Sequence, residues 1–337
     1  MSTTPTFLVG AERSGTTLFR LLVDSHPEVT AIEGLDYVIG AVGPDGERPA
    51  VDDYAEWLAT ETVFSTAGFT VDRSLPFDEV ADDFLRQRMA AAGKDRVAVL
   101  LHTGLETALS LWPEARFIHL VRDPRAVALS TAPFEWSGHP FFGVHRWIDL
   151  MGEWRTLTEK VPADRLLEIH FEDLVTDHGT TLGTVCDFLG VTYTDEMLSY
   201  AAETDYDEPI PAKADEWRAK IDDDELRMVE GRVGEWLETK GYEASGLDPI
   251  DPSPRDLQKM KLAVRLKKWK HKLTSHGWVA VAELATRKAG VSALHTPMKQ
   301  RMNGHERQNR KKSWREPGRE FAYGPAKAAE VAAGKAS

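Results

Sequence analysis

The sequence predicts an α/β protein, with a central parallel sheet, helices on both of its faces, and a helical C-terminal extension. Two observations lead to this fold class. Short apolar runs rich in β-branched and aromatic residues alternate with helical segments, which is typical of buried parallel strands. Beyond about residue 180 the pattern becomes almost entirely helical.

The elements of this sheet follow one another in order along the first half of the chain. Strands are predicted at residues 7–9, 29–32, 97–101, 117–121 and 166–170. Helices are predicted at residues 78–91 and 105–112, and a loop at residues 43–53. A further helix begins at Pro124, because proline lacks the N–H group that the first helical turn leaves unbonded.

The segment "FLVGAERSGTTLF" at residues 7–19 passes from a strand through a glycine-bounded loop into a helix. Such loops bind anions, because loop N–H groups and the helix dipole converge on one point. The spacing G-x-x-x-x-G is that of a Walker A loop, but Thr16 stands where that loop requires lysine, and Arg13 is its only cation. We therefore predict a P-loop NTPase-like sheet whose loop binds an anion other than Mg-ATP.

A second anion site is predicted in "VRDPRAVALS" at residues 121–130. Arg122 leaves the end of a strand, and Ser130 lies about two turns into the following helix. By itself this segment would be a capped helix start with a solvated arginine. Two such sites at the carboxyl ends of strands in one sheet could hold a ligand with two separated anionic groups.

The two segments together resemble the sulfotransferases that use 3′-phosphoadenosine-5′-phosphosulfate (PAPS), and most of all their bacterial and tyrosylprotein-type branch. The likeness covers about residues 5–243. Its shared stretches are "RSGTT", "LVDSHP", "RDP" with a serine eight residues after the arginine, "FEDLV", "FLGV", "EWRAKI" and "KGYE".

This resemblance implies transfer of a sulfuryl group from PAPS to a hydroxyl or amine acceptor by in-line displacement. The loop would hold the 5′-phosphosulfate, and Arg122 with Ser130 the 3′-phosphate. The residues expected to bind the donor are Arg13, Ser14, Gly15, Thr16, Thr17, Arg122, Ser130 and Lys220. Two positions depart from the family pattern: Phe171 replaces a tyrosine, and His102 replaces a lysine that assists the departing group.

Glu33 is the predicted catalytic base, and His102 is the second catalytic candidate. Glu33 follows the second strand at the sheet edge, where an acceptor hydroxyl would need a base within hydrogen-bond reach. Sulfuryl transfer depends on arginine and N–H donors, so it tolerates the missing loop lysine, whereas a P-loop kinase, the runner-up, does not. A catalytically silent nucleotide- or glycan-binding relative stays open, because Phe171 and His102 depart from the pattern.

Composition adds expectations about location and partners. The 337 residues carry a net charge of −13 and one cysteine, Cys186, which fits a reducing, cytoplasmic compartment. The chain reaches its first strand without a leader-like apolar run. The histidines show no ligand spacing, so no metal is expected. The acceptor would be a small molecule, lipid or glycan, and no nucleic-acid partner is expected.

The charge is divided unevenly along the chain. The first 253 residues carry a net −27, and the rest carry 20 basic and 6 acidic residues, a net +14. We divide the chain into an α/β domain at 1–245, a basic helical extension at 246–302 and a loosely ordered tail at 303–337. Apolar residues at helical spacing among lysines predict a basic amphipathic helix at 257–273. It would either pack on the acidic body or contact a membrane surface peripherally.

Overall fold

The computed structural model describes residues 3–59, 61, 64–134, 137–204 and 206–276. Within them the chain forms two compact units that are interleaved in sequence. The first unit comprises residues 3–123 and 146–217, and the second comprises residues 124–145 and 218–276. The domain boundaries predicted near residues 245 and 302 stay predictions, and the predicted tail at 303–337 lies outside the described residues.

The first unit contains a five-stranded parallel sheet, as the sequence predicts. Its strands are β1 (Thr6–Val9), β2 (Val29–Ile32), β3 (Arg96–Leu101), β4 (Arg116–Val121) and β5 (Leu166–His170). They lie in the order β2-β3-β1-β4-β5, and every neighbouring pair is parallel. All five strands therefore end at the same edge of the sheet.

Helices connect these strands and continue beyond them. In chain order they are α1 (Thr16–Asp24), α2 (Asp36–Ile39), α3 (Val51–Leu58), α4 (Phe64–Ala67), α5 (Phe77–Ala92), α6 (Leu105–Leu111), α7 (Pro124–Thr131), α8 (Pro140–Gly143), α9 (His145–Thr158), α10 (Phe171–Thr176), α11 (His178–Leu189), α12 (Tyr200–Glu203), α13 (Asp223–Val233), α14 (Trp236–Thr239) and α15 (Pro254–His276). Short 3₁₀ helices lie at Ala163–Arg165, Asp195–Leu198, Pro211–Lys213 and Glu216–Ala219.

Both faces of the sheet are buried along β1 to β4, which explains why these strands are mostly apolar. Leu8 and Ile118 belong to a core that also contains Phe19 of α1 and residues of α10 and α11. Successive residues of a strand point to opposite faces, so Phe7 lies on the other side, with its ring 5.6 Å from that of Trp112, just after α6. The prediction of helices on both faces is confirmed.

A buried polar network fixes β2 against the end of α1. Asp24 accepts hydrogen bonds from the Ala31 N–H (2.7 Å) and the Thr30 hydroxyl (3.0 Å), and it pairs with Arg88 at 2.9 Å. Burial raises the pKa of the Asp24 carboxyl, but the neighbouring cations and the Ala31 N–H outweigh it, so the net pKa lies below its ordinary value. Asp24 therefore stabilises the fold as a carboxylate.

The second unit is built around a buried ion pair. Helices α7, α8 and α13 pack together. Arg125 of α7 donates to Glu230 of α13 at 2.7 Å, and both side chains are almost completely buried. Glu230 also accepts from the Ser245 hydroxyl at 2.6 Å, so the carboxylate is well satisfied.

Helix α15 presents apolar residues on two different sides. Leu257, Met260 and Val264 are half-buried, and Val264 lies so close to Gly138 that a Cβ there would be 2.6 Å from its Cγ1. Leu262 and Leu266 are exposed, at 56% and 63% of their surface. The helix thus packs through the side that carries Val264, and the side that carries Leu262 and Leu266 stays exposed. No described helix is both long and apolar enough to cross a membrane.

Candidate active site

The residues predicted to do chemistry follow different strands but meet at one edge of the sheet. Because the strands are parallel, the order β2-β3-β1-β4 places Glu33, His102, the loop beginning at Gly10, and Arg122 in that sequence along the edge. Neighbouring strands are about 4.8 Å apart, so Glu33 lies roughly 10 Å from the loop. The sheet brings together residues that are separated by up to 112 positions in the chain.

The loop after β1 is tightly wound. The Ser14 N–H donates to the Ala11 carbonyl at 3.0 Å, and both Arg13 (φ 73°) and Gly15 (φ 88°) adopt the left-handed conformation. Arg13 is the one non-glycine residue of the described chain with a positive φ, a conformation that costs roughly 1–2 kcal/mol. Glycine is favoured at position 15 for two reasons: its φ is positive, and a Cβ there would lie 2.3 Å from the Phe171 ring. Such strain is typical of functional sites.

This loop fits an anion. Gly15 is the N-cap of α1, and no side chain among the described residues caps the helix, so the N–H groups of its first turn face the loop without a side-chain acceptor there. The Ser14 hydroxyl is fully buried, and it has no hydrogen-bond partner in the part of the chain that the structure describes. A phosphate or sulfate oxygen would satisfy both.

Thr16, at the position of the Walker lysine, is buried. Its Cγ2 lies 2.6 Å from where a Cβ on Gly10 would stand, so its methyl group packs over the start of the loop. A packed threonine cannot supply the cation that Mg-ATP sites place there. This agrees with the prediction of an anion other than Mg-ATP.

Arg122, which follows β4, is joined directly to the loop. It donates from Nη1 to the Arg13 carbonyl at 3.0 Å and from Nη2 to the Lys213 carbonyl at 3.1 Å. Its guanidinium carbon lies 4.1 Å from the centre of the Phe171 ring. The Trp147 indole N–H holds the backbone at Arg122 through its carbonyl, at 3.0 Å. Arg122 is therefore fixed before any ligand binds.

His102, which follows β3, is oriented by the loop. Its Nδ1 lies 2.6 Å from the Gly10 carbonyl oxygen, and since a carbonyl only accepts, Nδ1 is the donor. That bond leaves Nε2 as the ring nitrogen available for chemistry. The next residues are fixed by Glu153, which accepts from the Thr103 hydroxyl at 2.6 Å and from the Gly104 N–H at 2.7 Å.

Glu33 is the first residue after β2 and its side chain is exposed. It forms no hydrogen bond or ion pair with the described part of the chain, so its carboxylate is available to accept a proton. The backbone just before it is held by the bonds of Thr30 and Ala31 to Asp24. An exposed side chain on a fixed backbone is a suitable position for a base that must reach an acceptor.

Two predicted donor-binding residues lie in the second unit. Ser130 is the penultimate residue of α7, and Lys220 is exposed just after the 3₁₀ helix Glu216–Ala219. Their roles stay predictions from the sequence. No cluster of three or more His, Cys, Asp or Glu side chains that could hold a metal occurs among the residues that the structure describes.

Sequence reasoning missed two contributors to the site. Glu153 lies about 50 residues from the segment that it holds, and no spacing in the sequence connects them. Phe171 was noted only for the hydroxyl that it lacks, whereas its ring touches both Gly15 and Arg122. The β4–β5 pairing, which sets Val121 opposite His170, is the signal that could have brought Phe171 to attention.

The fold and this edge define a group-transfer enzyme with an anion-binding strand–loop–helix unit. The family model "Sulfotransferase family" matches residues 5–195, more than half of the chain. The chain therefore belongs to the sulfotransferase family. Membership confirms the predicted class of enzyme and its donor, PAPS.

Individual relatives are distant. A Caenorhabditis briggsae protein described as a protein-tyrosine sulfotransferase is 25% identical over 276 residues, covering 72% of this chain and 90% of that one. Protein-tyrosine sulfotransferase 1 of Danio rerio is 28% identical over 217 residues, covering 58% of this chain and 55% of that protein. The chain thus spans about half the length of the Danio relative.

Among solved structures, the sulfotransferase domain of the Synechococcus PCC 7002 olefin synthase superposes with a TM-score of 0.53. The two are 21% identical, and the match covers 69% of this chain and 96% of that domain. At this identity the likeness shows the fold, and it confirms the predicted P-loop NTPase-like parallel sheet.

Proposed function

We propose that this sulfotransferase moves the sulfuryl group of PAPS to the hydroxyl group of an acceptor, with Glu33 as base. The observation that carries the proposal is the order along the sheet edge: an unpaired carboxylate, an oriented imidazole, an anion-binding loop and a fixed arginine. A donor with a phosphosulfate at one end and a 3′-phosphate at the other matches the loop and Arg122. An acceptor would then approach from the side of Glu33.

The bond changes follow from this order. The acceptor oxygen attacks sulfur, the bond between sulfur and the bridging phosphate oxygen breaks, and 3′-phosphoadenosine-5′-phosphate (PAP) departs with the electron pair. Glu33 takes the proton of the acceptor hydroxyl. The loop N–H groups, the Ser14 hydroxyl and Arg13 stabilise negative charge on the sulfuryl and phosphate oxygens.

His102 would act on the departing phosphate. With Nδ1 donating to Gly10, its Nε2 is the atom that could donate a hydrogen bond to the bridging oxygen as charge develops there. An imidazole held in one orientation can replace the lysine of other relatives in this task.

The two alternatives have less support. A kinase needs a cation where Thr16 is packed against Gly10. A silent relative would have no use for an exposed, unpaired Glu33 beside an oriented His102. The nature of the acceptor is a further proposal: the net −27 of residues 1–253 would repel an acidic peptide, so an uncharged hydroxyl compound, lipid or glycan fits better.

The test is transfer of label from [³⁵S]PAPS to a panel of phenols, glycans and lipid alcohols. Wild-type protein should label at least one acceptor class and release PAP in equal amount. Glu33→Gln should bind PAP normally and transfer little, whereas Glu28→Gln, at an exposed carboxylate that pairs with Arg96, should behave as wild type. Equal transfer by the two variants would remove Glu33 from the mechanism.

We also propose that the enzyme is cytoplasmic and contacts anionic membranes through the exposed side of α15. The exposed residues Leu262, Leu266 and Trp269 share one side of the helix, because they recur at i, i+4 and i+7. Lys259, Arg265 and Lys270 border them. This combination is typical of helices that lie in a membrane interface.

Charge favours lipid over the chain's own tail as the group that covers this side. Residues 277–337 carry 12 basic and 5 acidic residues, so they would be repelled by a basic helix. Anionic lipid would be attracted by about 1 kcal/mol per lysine or arginine near the surface. The packing of Val264 on Gly138 is compatible with this contact, because it uses the other side of the helix.

Co-sedimentation with phosphatidylserine vesicles tests this contact. Wild-type binding should fall steeply between 0.1 and 1 M salt, as the Debye length shrinks from about 10 Å to 3 Å. Leu262→Ser with Leu266→Ser should abolish binding without lowering Tm. Leu247→Ser, a matched change at an exposed leucine outside the helix, should do neither. Vesicle binding that survives the double change would contradict the proposal.

A further inference from the structure

Phe171 and Arg122 occupy equivalent positions after neighbouring strands. The register pairs Val121 of β4 with His170 of β5, so the next residues, Arg122 and Phe171, lie side by side. The guanidinium carbon stands 4.1 Å from the ring centre, within the range of a cation–π contact. The following pair is also joined, since the Asp123 N–H donates to Glu172 Oε1 at 3.0 Å.

The same ring also contacts the anion-binding loop. Phe171 is only 4% exposed, and two of its ring carbons lie within 2.4 Å of where a Cβ on Gly15 would stand. Arg122 in turn donates to the Arg13 carbonyl. Loop, ring and guanidinium thus form one contiguous cluster at the sheet edge.

We infer that Phe171 is a positioning residue that holds the Arg122 guanidinium in place for the 3′-phosphate of the donor, an inference that rests on the proposed function. An arginine side chain loses much rotamer freedom when it binds a ligand. A buried aromatic face beneath the guanidinium removes that freedom beforehand, so less affinity is lost on binding. The ring does this without the tyrosine hydroxyl of other relatives.

The inference makes a selective claim about the ligand. Weakening the ring's attraction for a cation should weaken the binding of PAP, which carries a 3′-phosphate. The binding of adenosine 5′-phosphate, which carries none, should not change. A merely structural role of Phe171 would change both ligands equally, because the ring also supports the loop at Gly15.

The experiment replaces Phe171 in the full chain with phenylalanines bearing one, two and three fluorine atoms. Fluorine withdraws charge from the ring face and nearly preserves its shape, so folding is not at issue. Calorimetry should show PAP affinity falling stepwise, in total by roughly 2- to 30-fold, the worth of a cation–π contact. Adenosine 5′-phosphate affinity should stay constant, and Phe171→Tyr, which keeps the ring, should bind PAP as wild type does.

An Arg122→Ala background supplies the control. There the fluorine series should have no effect on PAP, because the cation is gone. Equal losses for the two nucleotides, or an unchanged fluorine effect without Arg122, would overturn the inference. Failure of the wild-type protein to prefer PAP over adenosine 5′-phosphate would instead count against the proposed function itself, so the two failures are distinguishable.

Discussion

The two ends of helix α1 differ in whether their polar groups are hydrogen-bonded within the described protein. At its start, within the part of the chain that the structure describes, the loop at residues 10–17 leaves the buried Ser14 hydroxyl without a partner and the first-turn N–H groups without a side-chain cap. At its end, Asp24 is surrounded by donors. His26 uses both ring nitrogens: Nε2 donates to the Thr192 carbonyl at 2.9 Å and Nδ1 accepts from the Glu28 N–H at 3.1 Å.

This difference distinguishes candidate binding residues from structural ones. Both ends belong to the stretches that resemble sulfotransferases, "RSGTT" and "LVDSHP". In a sequence both are conspicuous polar segments beside apolar ones. The hydrogen bonds show that the second segment is satisfied within the protein, whereas the first has donors to offer to an anion.

The largest expected effect lies beyond this pair of segments, at Glu33. Glu33→Gln should lower kcat by roughly 10²–10⁴-fold, the usual contribution of a positioned base, and leave PAP affinity unchanged. Steady-state transfer from labelled PAPS measures the first, and calorimetry the second. A variant with near wild-type kcat would make His102→Ala the next candidate to examine.

Asp24→Asn tests the C-terminal end of α1, where the polar groups are hydrogen-bonded within the protein. It should lower the free energy of unfolding by about 3–5 kcal/mol, because Arg88 would lose its buried partner. Thermal and urea unfolding measure this loss. Since the folded pKa of Asp24 lies below the ordinary 3.8, its contribution is present above that value and is lost as the pH falls through the folded pKa. The free energy of unfolding should therefore fall less steeply with decreasing pH in the variant than in the wild type.

The same variant should bind PAP normally at temperatures where it is folded. Weakened PAP binding by fully folded Asp24→Asn would mean that the two ends of α1 are not functionally separate.

Two further variants test the loop before α1. Arg13→Ala changes the loop itself, and Arg122→Ala changes the arginine that is hydrogen-bonded to it. Each should weaken PAP binding by about 1.5–3 kcal/mol, the worth of a charge-assisted hydrogen bond. Arg122→Ala should also erase the preference for PAP over adenosine 5′-phosphate. Calorimetry with both nucleotides measures this, and Arg73→Ala, at an exposed surface pair with Asp52, is a matched control. If Arg122→Ala still preferred PAP over adenosine 5′-phosphate, another residue would have to bind the 3′-phosphate.

Ser14→Ala has the smallest expected effect, and it separates PAP affinity from stability. PAP affinity should fall by about 0.5–1.5 kcal/mol, the net value of one hydrogen bond. Stability should not fall, since the hydroxyl has no partner in the described protein to lose. Thr30→Val removes a hydroxyl that donates to Asp24, so it should show the reverse: lower stability and unchanged affinity. If Ser14→Ala destabilised the protein, the loop hydroxyl would be structural.

Local patterns in the sequence account for most of the fold and for the strands that the candidate site residues follow. The apolar run at residues 29–32 coincides with β2, and Pro124 begins α7 as its fixed φ suggests. What could not be predicted depends on contacts between distant segments. The support of the Gly104 N–H by Glu153, and the ring of Phe171 beneath Arg122, follow from strand order and register, which no local spacing encodes.

Helix α15 shows the same limit in a different way. Its sequence gives two apolar sides, Leu257, Met260 and Val264 on one and Leu262 and Leu266 on the other. Periodicity identifies both but cannot decide which is packed. The contact of Val264 with Gly138, a residue more than a hundred positions away, decides it.

The central claim is that the edge of the sheet is built for a nucleotide with a 3′-phosphate. Titration calorimetry of the 337-residue chain with PAP in EDTA, and separately with ATP and Mg²⁺, tests it most directly. We expect PAP to bind without metal and ATP-Mg to bind far more weakly, because Thr16 stands in place of the cation of a Walker A loop and Arg122 is the residue proposed to bind the 3′-phosphate. Binding of ATP-Mg as tight as that of PAP would contradict the claim.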